Sequence, residues 1–178
     1  MVRAKGAPIS GDNGIYEIRD LAAKGYKYLA TKVGQEQDKD ILDDYIKKVL
    51  SLVDISKIKP TKVVANINFG AMGRNLKKSA EVLPLKIIWL NEQPDGSFPK
   101  GRPDPLIPGH SREIIEIIKT QPVDLGVSWD SDADRCFFLD ETGRFLSGYF
   151  TTAVLAEYLI KRLGPCKILV DSKLNWAT

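Results

Sequence analysis

The chain has 178 residues, 43% hydrophobic and 28% charged, enough for one domain with a buried core or one domain plus parts of its neighbours. Its net charge of +3 comes from 26 basic and 23 acidic residues spread along the sequence, which excludes the clustered basic stripe of a nucleic-acid binder. No apolar run reaches membrane-spanning length and no early segment has the layout of a secretory signal, so no membrane partner is expected, and the protein reads as cytoplasmic with Cys136 and Cys166 as reduced, buried thiols.

The first five residues read as an extended tail, followed by a polar turn over 10–14. A short helix is expected next, with Ile15, Ile18, Leu21 and Ala22 on one face and Gly25 as its stop. Residues 26–39 carry a broken pattern, as in a linker. A clearer helix starts after Asp38 or Asp40, either of which could cap it. Its apolar face is Ile41, Leu42, Tyr45, Ile46, Val49, Leu50 and Val53. Residues 62–67 read as a strand, 68–73 as a glycine-containing turn, 74–83 as a helix and 86–90 as a second strand. The stretch 91–109 holds five of the ten prolines and must be a loop. Ser111 stands where it could cap a helix bearing Ile114, Ile115, Ile117 and Ile118. A third strand, 123–129, runs into an acidic loop. Residues 136–140 and 144–148 read as a hairpin about Glu141-Thr142-Gly143. A helix over 150–163 and a strand over 167–171 follow. Strands alternating with helices, several of them nearly all apolar, define an α/β fold: a buried, mostly parallel sheet covered by helices.

The acidic loop is Asp130-Ser131-Asp132-Ala133-Asp134-Arg135. Alternating aspartates on an extended or gently turning backbone would point three carboxylates the same way. At about 5 Å and an effective dielectric of about 20, each pair repels by roughly 3 kcal/mol. Either the loop stays open in water or a hard divalent cation sits among the oxygens. Loops at the carboxyl ends of parallel strands are where open α/β sheets bind ligands, and few protein oxygens with room for water and phosphate suit Mg²⁺. Arg135 adds a planar, permanently charged fork matched to phosphate. The same residues also fit calcium-loop spacing, with Asp130 as position 1 and Glu141 as position 12. Arg135 then takes the place where that loop needs glycine, and both flanks read as strands rather than helices.

With that loop in hand, the chain resembles the phosphomannomutase/phosphoglucomutase (phosphohexomutase) family. Pro8-Ile9-Ser10-Gly11-Asp12-Asn13-Gly14, Pro94-Asp95-Gly96-Ser97-Phe98-Pro99 and Asp171-Ser172-Lys173-Leu174-Asn175-Trp176-Ala177-Thr178 look like stretches of the same family in the same order. The resemblance implies an internal piece of a four-domain enzyme. Residues 1–32 would be the tail of domain I, 33–140 domain II with the metal loop, and 141–178 the truncated start of domain III. It also implies that Asp130, Asp132 and Asp134 take the positions of Mg²⁺ ligands and Arg135 that of the arginine beside a phosphoserine. The implied substrate is a hexose phosphate, converted through a sugar bisphosphate, and the implied partners are the missing domains of the full-length protein. The family's Thr-Ala-Ser-His-Asn-Pro-like serine motif does not occur in these residues. Ser10, Ser111, Ser128 and Ser131 read instead as turn, cap, strand and loop residues. Position 131 has Ser where glycine is usual, which would strain the backbone if that residue needed positive φ. The family's Asn-Pro-Leu appears as Asp104-Pro105-Leu106. A non-catalytic divalent-metal or phosphate-binding module of the same fold is the competing reading. His110, the single histidine, reads as a surface residue. The turn 68–73 lacks G-x-G-x-x-G and a Walker lysine and reads as structural, and Trp89, Trp129 and Trp176 read as core or interface.

Overall fold

Val63, Val64 and Ala65 place apolar side chains on both faces of one short segment, and only a strand covered on both sides can bury them all. That strand is β1 (Thr61–Asn66). It lies between two parallel neighbours, β2 (Leu85–Leu90) and β3 (Leu125–Trp129), in a five-stranded sheet of order β2-β1-β3-β4-β5. Val64 stands opposite Ile88 on one side and Gly126 on the other. The last two strands, β4 (Cys136–Leu139) and β5 (Phe145–Leu146), are antiparallel. The expected α/β class is therefore found, with a mixed sheet. The loop between β3 and β4 is too short for the crossover a parallel return needs, so the chain turns back on itself.

The computed structural model describes residues 2–25 and 34–169, in two compact units dividing between Lys39 and Asp40. In the second unit, Val63, Ala65 and Ile67 pack with Val127, Trp129 and Leu76 of helix α3 (Met72–Ala80). The opposite face carries Val64, Leu139 and Val123 against Ile114 and Ile118 of α4 (Arg112–Thr120). Successive β1 residues thus feed two cores, as a period-2 element must. Gly126 makes room for the second core. A methyl group there would stand 2.6 Å from Ile114 Cγ2 and 3.1 Å from Leu139 Cβ.

Helix α2 (Leu42–Leu50) begins where Asp40 Oδ1 accepts the Leu42 N–H at 3.0 Å, and it buries Ile46. It ends earlier than its apolar pattern, because Leu52 and Val53 lie in the following turn and are exposed. Ser111 precedes α4 as expected, but its hydroxyl makes no cap bond. Helix α5 (Gly148–Leu163) follows the hairpin and leaves Phe150, Val154, Leu155 and Leu163 exposed. The strand expected over 167–171 does not form in its described part. Residues 167–169 pair with no strand, Leu169 is wholly exposed, and the remainder lies outside the described residues. In the first unit, Val2 bridges Pro8 around a tight turn, Ala4–Gly6, where an extended tail was expected. The turn Gly11–Asn13 and helix α1 (Ile15–Ala23) follow as read from the sequence, with Gly25 at φ 69° after the helix. Most of the expected linker lies outside the described residues, and its remainder, 34–39, is irregular.

The expectation of buried thiols fails. Both cysteines are free and exposed. Cys136 pairs with Trp129 at the open end of β4, beyond the reach of β5, which covers only Phe138 and Leu139.

The turn closing the hairpin hangs on Asp140. Its Oδ1 accepts the Thr142 hydroxyl at 2.6 Å, the Thr142 N–H at 3.0 Å and the Arg144 N–H at 2.9 Å, while Oδ2 meets Arg144 Nε at 3.0 Å. The Thr142 hydroxyl, then the Arg144 amide, pull this carboxyl from 3.8 down to about 2. A depressed carboxylate stabilises the folded state above its unfolded pKa and loses that effect as pH falls through the folded one. The stability difference between wild type and Asp140→Ala is therefore expected to be constant above about pH 5 and to shrink between pH 4 and 2, as read by urea melts. In the core, Gly126→Ala is expected to lower stability by about 1–3 kcal/mol in the same measurement, because the added methyl overfills the seat of Ile114.

Candidate metal centre

The carboxyl ends of β1, β2 and β3 form one edge, and a network of buried amides organises it. Asn66, at the end of β1, is 1% exposed, and its Oδ1 accepts the Asn68 N–H at 3.0 Å and Asn91 Nδ2 at 2.9 Å. Asn68 Nδ2 donates to Ser128 Oγ at 3.0 Å and to the Trp129 carbonyl at 2.6 Å, tying the loop after β1 to the end of β3. Asn68 and Phe69 hold left-handed backbones, φ 51° and 61°. Gly70 then passes so close to the acidic loop that a Cβ would sit 2.4 Å from the Ser131 carbonyl oxygen, and the Ala71 N–H donates to that oxygen at 2.9 Å. Buried polar groups are costly unless paired, so this lattice fixes where β3 ends and the loop begins.

Asp130 to Arg135 form a tight turn rather than an extended run. The Ala133 N–H reaches the Asp130 carbonyl at 3.2 Å, and the Arg135 N–H reaches Asp130 Oδ1 at 3.2 Å. One carboxylate oxygen from each of Asp130, Asp132 and Asp134 lies within 4.8 Å of the others, the only such acidic grouping among the described residues. Asp130 is buried, whereas Asp132 and Asp134 face solvent. Arg135 lies across the group. Its Nη2 is 2.5 Å from Asp130 Oδ2, its Nε is 3.2 Å from Asp134 Oδ1, and its Nη1 is 4.0 Å from Asp104 Oδ1. The contact with Asp130 Oδ2 is one of charge without alignment, since that buried oxygen accepts no hydrogen bond. Burial pushes the Asp130 carboxyl up, but the Arg135 backbone N–H, the Asp134 side chain and the guanidinium outweigh it and hold it below the ordinary carboxylate value.

Three carboxylates against one guanidinium leave the loop net negative, all the donors are hard oxygens, and one buried oxygen has no aligned donor. Such a donor set fits Mg²⁺. The loop joins two strands, β3 and β4, so the helix–loop–helix frame of a calcium site is absent, and Glu141 lies in the β4–β5 turn outside the acidic group. Ser128 is a strand residue and Ser131 a loop residue, as the sequence implied. The left-handed residue in this loop is Ala133, at φ 59°, and Ser131 needs no positive φ. Trp129 is core and Trp89 packs against it, while Trp176 lies outside the described residues. The turn 68–73 is structural as read from the sequence, whereas the parts of Asn66 and Asn91 in the amide network were not anticipated. A signal was there in Asn68 just past a strand end, since asparagine readily accepts a left-handed turn, and in Gly70, where the absence of a side chain permits close backbone approach.

Residues 43–143 match the family described as phosphoglucomutase/phosphomannomutase, alpha/beta/alpha domain II. Over its full length the chain is 35% identical to a protein of Xanthomonas campestris named phosphohexose mutases and 36% identical to a phosphomannomutase of Vibrio cholerae. It spans 40% of the length of each of these curated relatives. A crystal structure of a phosphoglucomutase/phosphomannomutase family protein from Burkholderia thailandensis superposes with a TM-score of 0.74 at 23% identity, over 89% of this chain and 34% of that one. At that identity the likeness is one of fold.

Replacing Ser131 by glycine relieves nothing and frees the unfolded chain, so Ser131→Gly is expected to lower stability by about 0.4–1 kcal/mol. Ala133→Gly is expected to be neutral or better, because release from a left-handed backbone offsets the same entropy. Urea midpoints of the two variants check the ordering.

Proposed function

Since this chain belongs to the phosphoglucomutase/phosphomannomutase family, we propose that it is the part of a phosphohexomutase, of phosphomannomutase type, that carries the metal loop. In this reading residues 1–32 are the tail of domain I, 33–140 are domain II and 141–178 open domain III. Hexose 6-phosphate and hexose 1-phosphate are interconverted by the complete enzyme. A phosphoserine outside these residues passes its phosphoryl group to the sugar, giving a bisphosphate, and the other phosphate returns to the serine. The Thr-Ala-Ser-His-Asn-Pro-like serine motif does not occur in these residues, so in this reading turnover requires the serine-bearing part of the enzyme.

The observation that carries the reading is the gathering of Asp130, Asp132 and Asp134 within 4.8 Å at the carboxyl edge of the sheet. These three side chains would hold Mg²⁺, which when bound supplies positive charge against the oxygens of a transferring phosphoryl group. Asp130 is the rigid member, anchored by burial and by the Arg135 N–H at 3.2 Å. Asp132 and Asp134 approach from the solvent side, leaving that side open for a phosphate. Arg135 now pairs with Asp130 and Asp134, offsetting part of their charge. A cation taking over those carboxylates would free the guanidinium fork for phosphate oxygens, and phosphoryl transfer depends on such positioning and charge neutralisation more than on covalent help. Asp104 lies on the far side of Arg135 and keeps a negative group near the guanidinium.

Asp132→Asn, made in the enzyme that carries this segment together with its serine domain, is expected to lower turnover by orders of magnitude and leave the thermal melt unchanged. In the 178-residue chain the same variant should abolish the Mg²⁺-dependent rise in melting temperature. Near-normal turnover would count against the site, and a strong preference for Ca²⁺ lost on Glu141→Gln would replace Mg²⁺ with calcium.

A further inference from the structure

A second polar feature shares the carboxyl edge of the sheet with the acidic loop and has the opposite sign. Between the loops that follow β1 and β2 and the start of α4 lies a cavity of about 200 Å³, lined by Asn68, Lys100, Arg102, His110, Arg112 and Glu113 among others. Its single acidic wall residue, Glu113, is already engaged, paired with Lys100 and accepting Asn91 Nδ2 at 2.9 Å. Arg112 makes no ion pair among the described residues. Arg102 is largely exposed and its one ion pair among the described residues is with Asp104, at 3.4 Å, a residue of the same loop that does not itself line the cavity. Lys100 is held in place from two sides, by Glu113 and by the face of Phe69 at 6.0 Å. The cavity thus gathers three permanent cations against one committed carboxylate, with the imidazole of His110 as a further donor.

We propose that this cavity binds a phosphate group, either that of a small phosphate monoester or free inorganic phosphate, between Arg102, Arg112 and Lys100. Three points of chemistry select that class. Guanidinium forks match tetrahedral oxyanions through paired N–H donors, and two of the three cations are arginines. The volume is below the roughly 300–1,000 Å³ of pockets that enclose larger ligands, so a compact anion fits and an extended one does not. Ser111 makes no side-chain cap bond on the nine-residue α4, so the positive end of that helix adds to the side-chain charge already there. The proposal does not rest on the magnesium reading, because no cavity residue named here is one of the three aspartates or Arg135. The two sites are nevertheless neighbours. Asn68 lines this cavity and bonds the Trp129 carbonyl, one residue before Asp130.

Isothermal titration of the 178-residue chain with inorganic phosphate, at fixed ionic strength, tests this. Saturable 1:1 binding is expected, weakened at least tenfold in the double variant Arg102→Gln/Arg112→Gln, whose two exposed positions should leave the circular dichroism melt unchanged. Asp132→Asn is expected to bind phosphate as the wild type does, which keeps this result separate from any failure of the metal site. Absence of saturation at millimolar phosphate, or equal affinity in the double variant, overturns the proposal. A hexose 1-phosphate titrated in parallel identifies the source. Competition with tighter binding assigns the pocket to the ester, competition with weaker binding assigns it to the free ion, and ester binding that does not displace inorganic phosphate overturns a shared pocket.

Discussion

Negative charge crowded at the end of β3 is the constraint around which the rest of this edge is built. Three carboxylates within 4.8 Å repel one another by several kcal/mol at an effective dielectric of about 20. The chain answers in two ways. Arg135, next in sequence, folds back over Asp130 and Asp134, and the backbone turns so that its own N–H also meets Asp130. That answer is partial, for one buried oxygen is left beside a charge with no hydrogen bond directed at it. An arrangement that offsets only part of the charge and leaves an oxygen unaligned is one that a divalent cation can displace.

Holding such a loop requires a rigid floor, and the asparagines provide it. Asn66, Asn68 and Asn91 link the ends of β1, β2 and β3 through side-chain amides, while Gly70 permits the loop after β1 to lie directly against Ser131. The acidic loop is therefore braced from behind by backbone and amide contacts, with Asp130 buried against them and Asp132, Asp134 and Arg135 reaching solvent. Asn91 also bonds Glu113 at the start of α4, so the same polar floor extends beneath the cationic cavity. One sheet edge thus carries an acidic site and a basic site side by side, separated by a shared set of amides.

Membership of the phosphoglucomutase/phosphomannomutase family follows from the match over 43–143 and accounts for the architecture. A parallel core of β1, β2 and β3, covered by α3 and α4, presents its loops at one edge. β4 then carries the chain away from that edge, and β5, antiparallel to it, turns back toward it. The short β3–β4 connection is central to this. Because the chain reverses within a few residues, the three aspartates are gathered into a turn instead of being strung along an extended segment.

Elements with strong periodicity were legible in the sequence. The alternation of Val63, Val64 and Ala65, the spacing of Ile114 and Ile118, the proline-dense loop over 91–109 and the turn at Glu141-Thr142-Gly143 each have a local physical cause, so each could be read before any packing was known. The acidic loop and Arg135 were legible for the same reason, being contiguous. What the sequence could not show depended on residues distant along the chain. The amide network spans positions 66 to 128, the seat for Ile114 is made by Gly126 across the core, and the basic cavity draws Lys100, Arg102 and Arg112 to Asn68. The exposure of Cys136 and the left-handed backbone at Ala133 rather than Ser131 were likewise settled by how β4 pairs and how the loop closes. Local pattern determines which elements form, because propensity and periodicity act over a few residues; which side chains meet is decided only when the folded sheet brings its loop ends together.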